Sequence, residues 1–151
     1  MKAKNIEVKR LFGKCPPVIG VPGELRQAIA NLVSNAVDAV PENGNITVAL
    51  HCVREAGFDE VQVLIEDDGP GIAEEHMQRI FEPFFTTKRD IGTGLGLYVA
   101  REILERHGGT VTVRPRPEGS PADTAKLGAC FILRLPCDPD PHAQESVVSH
   151  A

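Results

Sequence analysis

The 151-residue sequence lacks the features of several protein classes. No apolar run approaches the ~20 residues of a membrane-spanning helix, and the N-terminal MKAKNIEVKR has no signal-peptide core. A net charge of −5 argues against a nucleic-acid-binding protein. With 42% hydrophobic and 25% charged residues, the composition is that of a globular domain. We expect one domain that contacts neither membrane nor nucleic acid.

The cysteines show no pattern of a metal or redox site. Cys15, Cys52, Cys130 and Cys137 form no C-x-x-C pair and have no zinc-ligand spacing with histidine. Cys52 and Cys130 fall in strand-like runs, where a thiol serves as a small apolar side chain. A reducing, cytoplasmic setting is the default expectation.

Hydrophobic periodicity predicts a mixture of helices and strands. Helices are predicted over residues 22–40, over EEHMQRIFEPFF with a break at Pro83, and over LGLYVAREILERHGG with Gly108 as its C-terminal cap. Strands are predicted over residues 4–10, a short part of KCPPVIG, 46–52, 61–65, TVTVRP and GACFILRLP. This order indicates an α/β two-layer sandwich, with helices on one face of a mixed sheet. Residues 1–136 are predicted to form the domain and 137–151 a flexible tail.

The stretch DDGPGI follows an apolar strand-like run. Because side chains alternate along a strand, Asp67 shares the apolar face, whereas Asp68 is expected to point toward solvent or the turn. A carboxylate at the edge of a core is costly unless a donor reaches it. Either Asp67 caps the turn through backbone N–H groups, or it binds a ligand. Gly69 and Gly71 favour a ligand, because glycine lets a flat molecule approach the backbone.

Two further motifs are ambiguous when taken singly. Asn31 and Asn35 lie one helical turn apart and form either an exposed polar stripe or, through an amide oxygen, a magnesium ligand beside phosphate oxygens. The motif GTGLGL places three glycines before a helix whose free N–H groups favour an anion, although a flexible loop would have the same composition. It matches neither the dinucleotide fingerprint nor a Walker loop. Lys88 and Arg89, just upstream, either meet phosphate oxygens or are solvated.

These motifs together resemble the catalytic and ATP-binding domain of bacterial sensor histidine kinases. ELRQAIANLVSNAVDA is similar to the N box, DDGPGI to the first glycine box, RIFEPFFTTK to the F box, GTGLGL to the second glycine box, and HGGTVTV to the stretch after the second helix. The resemblance runs from about Ile6 to Pro136. It implies the Bergerat ATP-binding fold, a mixed and mostly antiparallel sheet, which gyrase, chaperone and mismatch-repair ATPases share.

The resemblance also implies roles for individual residues. Asp67 would accept a hydrogen bond from the adenine amino group, Asn35 would coordinate Mg²⁺, and Asn31 would support the polyphosphate. Lys88 would contact a phosphate. The implied ATP-binding set is Asn31, Asn35, Asp67, Gly69, Gly71, Ile72, Lys88, Gly92, Thr93, Gly94, Leu95, Gly96 and Leu97. No residue is expected to act as a catalytic base.

A lid is implied between the F box and the second glycine box, over residues 84–93. Gly92, Gly94 and Gly96 would form its hinge and its phosphate-facing end. The lid base would be anchored by three aromatics, which ordinary core packing would also explain: Phe81, Phe84 and Phe85.

The sequence departs from the family pattern at two positions of the adenine side. Asp68 replaces a usual asparagine, and we expect little effect from this change. Ala129 follows Gly128 where the family often has Gly-Thr, which puts a hydroxyl contact to the adenine carboxylate in doubt.

The histidine that accepts the phosphoryl group in the family lies on a separate helical hairpin. None of the five histidines here lies in a matching motif: His51, His76, His107, His142 and His150. We therefore expect the kinase half alone, a fragment cut at the domain boundary and monomeric in isolation. Its partners would be the dimerisation domain of the parent kinase, which could be membrane-anchored, and a downstream response regulator.

Two alternative functions remain. A clamp-type ATPase of this fold carries a glutamate base where this chain has Asn31, which cannot take a proton at neutral pH. A second alternative is a nucleotide-gated binding module of the anti-sigma type. Only the F box and the long lid distinguish a histidine kinase domain from such a module. A histidine kinase domain is the leading hypothesis.

Overall fold

The computed structural model describes residues 5–55, 58–85, 94–115 and 128–137. In these segments no helix is long and apolar enough to cross a membrane. Their elements are β1 (Glu7–Phe12), α1 (Pro22–Ala39), β2 (Asn45–Glu55), β3 (Phe58–Asp67), η1 (Glu74–His76), α2 (Gly96–Arg106), β4 (Thr110–Pro115) and β5 (Ala129–Pro136).

The five strands form one sheet in the order β1-β2-β3-β5-β4. β1 pairs in parallel with β2, and the other neighbours are antiparallel. Alternation along the strands sends Ile46, Val63 and Ile65 to one buried face. The predicted mixed, mostly antiparallel sheet is confirmed.

Helices α1 and α2 pack against each other over that buried face. Both helices carry an apolar stripe, and the core side chains they contribute are Ala28, Leu32, Ala36, Ala100, Ile103 and Leu104. Phe131 of β5 is fully buried between these layers. The predicted two-layer sandwich is therefore confirmed, and Gly108, at φ +75°, ends α2 as expected.

Two predicted elements are wrong. The stretch KCPPVIG contains no strand, because Pro16 and Pro17 have no N–H to donate to a ladder. The predicted helix over 74–85 is a single 3₁₀ turn, η1, followed by turns. Ile80 and Phe81 are both buried there. Successive residues of an α-helix point about 100° apart, so a turn directs both side chains into the core more readily.

Candidate functional site

Asp67 ends β3 on the helix-facing side of the sheet, as strand alternation predicts. It pairs with Ile46 on one side and with Ala129 on the other, and its exposed fraction is only 2%. The Gly69 N–H donates to Asp67 Oδ1 at 2.9 Å. The predicted turn cap is thus present, and it does not exclude a ligand, because an ionised carboxylate offers about four lone-pair sites.

Asp68 is expected from the sequence to face solvent or the turn, and its burial excludes solvent. Its exposed fraction is 4%, and both carboxylate oxygens accept hydrogen bonds from Asn45 at the start of β2. The Asn45 N–H donates to Asp68 Oδ1 and the Asn45 Nδ2 to Asp68 Oδ2, each at 3.0 Å. The burial has a physical reason: the turn that joins α1 to β2 lies against the carboxylate, and Asn45, the first residue of β2, supplies the donors that a buried carboxylate needs.

Three residues after the acidic pair complete this end of β3. An added Cβ on Gly69 would lie 2.6 Å from the Ala39 carbonyl oxygen, so Gly69 lets α1 approach the strand end. Gly71 has φ +81°, which favours glycine. Ile72 packs partly buried against the core. The contact with Ala39 is one that local sequence patterns do not reveal.

The two asparagines of α1 lie on the same side of the site. Asn31 Nδ2 donates to the Gly96 carbonyl at 3.0 Å, which ties α1 to the first residue of α2. Asn35, one turn further along, is half-buried. Helix α1 therefore contacts both parts of the candidate site: Ala39 meets Gly69 of the strand end, and Asn31 meets Gly96 of α2.

The second glycine motif reaches the site at the start of α2. Gly94 has φ +75°, and an added Cβ would lie 2.6 Å from the carbonyl carbon of Phe84. The Phe84 N–H donates to the Gly94 carbonyl at 3.0 Å, so these two residues meet across the interval predicted as a lid. Leu95 occupies the N-terminal cap position of α2 without a side-chain capping bond, and Leu97 packs partly buried against the core.

The three predicted anchoring aromatics have different environments. Phe81 is a core residue, packed edge-to-face on Phe131 with ring centroids 6.1 Å apart. Phe85 is half-buried, and the Arg79 guanidinium lies 4.7 Å from its ring centroid. Phe84 is 72% exposed and has φ +66°, which is rare for a residue with a Cβ.

Some predicted site residues lie outside the described residues. These are Lys88, Gly92 and Thr93, together with most of the predicted lid over 84–93 and the tail from 138 onward. Cys137, the first residue of the predicted tail, is buried, and its N–H donates to the Asp59 carbonyl at 3.1 Å.

Strand β5, which pairs with β3 beside Asp67, contributes a backbone hydrogen bond and one unreactive thiol to this region. The Gly128 N–H donates to the Gly69 carbonyl at 2.9 Å, and Ala129, opposite Asp67, has no hydroxyl to offer. Burial, with the neighbouring Glu66 carboxylate, raises the pKa of the Cys130 thiol to about 11. Cys130 is therefore protonated at neutral pH and serves as an apolar core side chain.

The site thus combines a buried carboxylate at a strand end, two amides on α1, and a glycine-flanked helix start. Within the described segments no group of three or more His, Cys, Asp or Glu residues is placed to hold a metal ion. A family model described as histidine kinase-, DNA gyrase B- and HSP90-like ATPase matches residues 20–139. The chain belongs to this ATPase family.

Among curated members of the ATPase family, sensor histidine kinase ZraS of Klebsiella oxytoca is 48% identical over 115 residues, covering 76% of this chain and 22% of ZraS. Sporulation kinase E of Bacillus subtilis is 38% identical over 126 residues, covering 83% of this chain and 15% of the kinase. The chain thus spans about a fifth or less of these relatives.

Solved structures of the ATPase family agree in fold. The mycobacterial sensor histidine kinase MprB superposes with a TM-score of 0.74 at 28% identity, covering 89% of this chain and 86% of MprB. The catalytic domain of histidine kinase ThkA gives a TM-score of 0.71 at 34% identity, covering 87% of this chain and 79% of that domain. The chain therefore has the ATP-binding fold of histidine kinase catalytic domains.

Proposed function

We propose that this chain binds Mg-ATP and transfers the γ-phosphoryl group to a histidine on a separate dimerisation domain of a sensor kinase. The observation that carries the proposal is the buried carboxylate of Asp67, which ends β3 on the side covered by α1. The relatives named as sensor histidine kinases support the same function. A full-length kinase, ShkA, that was solved with AMPPNP is 29% identical with a TM-score of 0.69, covering 87% of this chain and 25% of ShkA.

Asp67 suits the adenine amino group because an ionised carboxylate is acceptor-only and that amino group is a donor. The exposed fraction of 2% places this acceptor away from bulk water, which strengthens a hydrogen bond to a ligand. Such a charge-assisted bond contributes about 1.5–3 kcal/mol. Gly69, Gly71 and Ile72 follow directly and would form the wall against which a flat base packs.

The start of α2 suits the phosphates. The first N–H groups of a helix have no intrahelical acceptor and carry the positive end of its dipole. The Val99 N–H donates to the Leu95 carbonyl at 2.8 Å, so the N–H groups of Gly96 and Leu97 precede the first intrahelical bond. The family resemblance assigns a further positive charge for the phosphates to Lys88.

The donor set fits magnesium when the metal is shared with phosphate oxygens. Mg²⁺ usually takes only one or two protein ligands beside substrate phosphates and water. The Asn35 amide oxygen, half-buried on α1, is the ligand that we propose. When bound, the metal would offset negative charge on the phosphates.

Asn31 argues against the clamp-type hydrolase. A hydrolase needs a base to deprotonate water, and an amide cannot take that proton. The Asn31 Nδ2 instead donates to the Gly96 carbonyl, a contact that holds the two helices together. In the proposed transfer the nucleophile is the imidazole of the partner domain, and this chain positions ATP and neutralises charge.

The cellular setting follows from this role. The domain would act in the cytoplasm as a monomeric unit of a longer kinase, which could be membrane-anchored. The phosphohistidine of the dimerisation domain would then donate its phosphoryl group to a response regulator.

Incubation with radiolabelled ATP tests the proposal. We expect no labelling and no appreciable hydrolysis by the chain alone. Asn31 stands where a clamp-type ATPase of this fold carries its glutamate base, and general-base catalysis typically contributes roughly 10²–10⁴-fold to the rate. Adding the histidine-bearing hairpin of the parent kinase in trans should give weak, acid-labile labelling of the hairpin, since the effective concentration given by tethering is lost. Asn35→Ala should abolish this labelling. The matched control is Ser34→Ala, which removes the adjacent polar side chain on the exposed side of α1 and should leave the labelling unchanged.

Two results would contradict the proposal. Label on this chain alone would show that one of its own histidines is an acceptor. Tight ATP binding without any transfer to the hairpin would favour the nucleotide-gated binding module.

A further inference from the structure

Asp68 and Asn45 form a bracket, defined as these two residues and the bonds between them. Besides the two bonds from Asn45 to the Asp68 carboxylate, the Asp68 N–H donates to the Asn45 carbonyl at 3.3 Å. The bracket therefore joins the end of β3 to the start of β2 through three hydrogen bonds, two of them accepted by the Asp68 side chain.

The bracket also fixes the turn after α1. Asn43 has φ +64°, and the Gly44 N–H donates to the Pro41 carbonyl at 2.9 Å. An added Cβ on Gly44 would lie 2.9 Å from Asp68 Oδ1. The carboxylate thus packs directly on this turn, and movement of Asp68 would disturb the turn and the strand end together.

The geometry points to Asp68 as a positioning residue for Asp67. Asp67 pairs with Ile46, the residue after Asn45, so the bracket holds the peptides adjacent to both members of that pair. Two residues after Asp67, Gly69 donates to Asp67 Oδ1 and lies against the Ala39 carbonyl. The Asp67 backbone is therefore held by its pairing with Ile46 and by the two residues that follow it, which sets where its carboxylate meets a base.

We propose that the Asp68–Asn45 bracket sets the selectivity for the 6-amino group of adenine by holding the Asp67 carboxylate in place. This inference rests on the proposed role of Asp67. An asparagine at position 68 would keep only one acceptor oxygen and lose the carboxylate's second one, so the Asn45 amide would have to turn its oxygen toward the new Nδ2 to remain paired. The side chains at 45 and 68 therefore form a matched pair in which one residue supplies the donors and the other the acceptors.

The test compares calorimetric binding of ADP with binding of its analogue that lacks the 6-amino group. Wild type should prefer ADP about ten- to a hundredfold, the value of one charge-assisted bond. The sequence alone predicts little effect from an asparagine at position 68, but the two bonds from Asn45 lead us to expect that Asp68→Asn lowers this preference about three- to tenfold, a coupling typical of residues in contact. Asn45→Asp, which sets two carboxylates against each other, should lower it at least as much.

The double variant Asn45→Asp/Asp68→Asn exchanges donor and acceptor and should restore most of the preference. Glu42→Gln removes an exposed carboxylate from the same turn and should leave the preference unchanged. Thermal melting monitors folding, and Asn45→Ala, which keeps the backbone bond to Asp68, serves as the milder variant if Asp68→Asn does not fold. Asn45→Ala should lower the preference for ADP by less than the roughly threefold to tenfold expected for Asp68→Asn.

Several outcomes would overturn the inference. Equal losses for both ligands would show a general structural defect, and a double variant no better than the single variants would show that the matched pair has no role. In both cases the proposed function would still stand if wild type prefers ADP to the analogue and Asp67→Asn loses this preference. A wild type that binds both ligands equally would contradict the role of Asp67 itself, and with it this inference.

Discussion

The two sides of the candidate site are held in different ways. The strand side, residues 67–72, has two buried carboxylates, each with hydrogen-bond donors, and a glycine packed on the Ala39 carbonyl. The loop side, Phe84 and residues 94–97, has an exposed aromatic at positive φ and a side-chain bond from Asn31 to Gly96. These loop-side residues are half-buried or exposed.

This difference matches what the two sides would do. A base is recognised by hydrogen bonds whose geometry must be set before binding, since a misplaced acceptor loses the bond. A phosphate group is bound by charge and by backbone N–H groups, which tolerate small displacements. We infer that base selectivity depends on the packed strand side, and that changes on the loop side act mainly on phosphate binding.

Gly69→Ala should have the largest effect on stability, because the added methyl group would clash with the Ala39 carbonyl of α1. The new Cβ would lie 2.6 Å from the Ala39 carbonyl oxygen and 3.0 Å from Asp67 Oδ1. We expect a loss of about 1–3 kcal/mol in the free energy of unfolding, measured by thermal or denaturant unfolding. The matched control is Gly23→Ala in α1, where nothing lies within 4 Å of an added Cβ. Equal stability of the two variants would contradict the packing account.

Asn31→Ala should have an intermediate effect, confined to the loop side. It removes the bond to the Gly96 carbonyl, a contribution of about 0.5–1.5 kcal/mol, part of which the higher helix propensity of alanine offsets. Amide hydrogen exchange should accelerate in the first turn of α2 and stay unchanged over residues 67–72. Gln27→Ala, one turn earlier on α1 and exposed, is the control. Faster exchange on both sides would show that the two sides are not independent.

Gly96→Ala should have the smallest effect on folding. No atom lies within 4 Å of an added Cβ, and the backbone needs no positive φ, so stability should change by less than about 0.5 kcal/mol. Affinity for an ATP analogue should fall by up to about tenfold, or ~1.4 kcal/mol, because the methyl group would occupy the approach to the helix start. Unchanged affinity would mean that phosphates do not come close to Gly96.

The sequence allowed a good prediction of the sheet, of both long helices and of the face that Asp67 takes. These features depend on periods of 2 and 3.6 residues, which are visible in a short window. Asp68 could not be placed in this way, because its partner Asn45 lies 23 residues away and is brought to it by the turn after α1. Alternation within β3 does not reveal a partner that comes from the start of β2.

Tertiary contacts also account for features that local sequence patterns do not reveal. The sequence suggests that Gly69 admits a ligand, and the structure adds a close approach of α1 to this glycine. The family resemblance assigns Asn31 to the polyphosphate, and its visible partner is a backbone carbonyl of another helix. The residues 74–85 have helical composition, but Ile80 and Phe81 are both drawn into the core, and this packing overrides local propensity.

Binding of a non-hydrolysable ATP analogue to Asp67→Asn tests the central claim most directly. Calorimetric titration should show an affinity about ten- to a hundredfold below that of wild type, because an amide replaces the charge-assisted acceptor of the adenine amino group. Thermal unfolding of both proteins shows whether the fold is retained. A folded Asp67→Asn variant that binds the analogue as tightly as wild type would contradict the account.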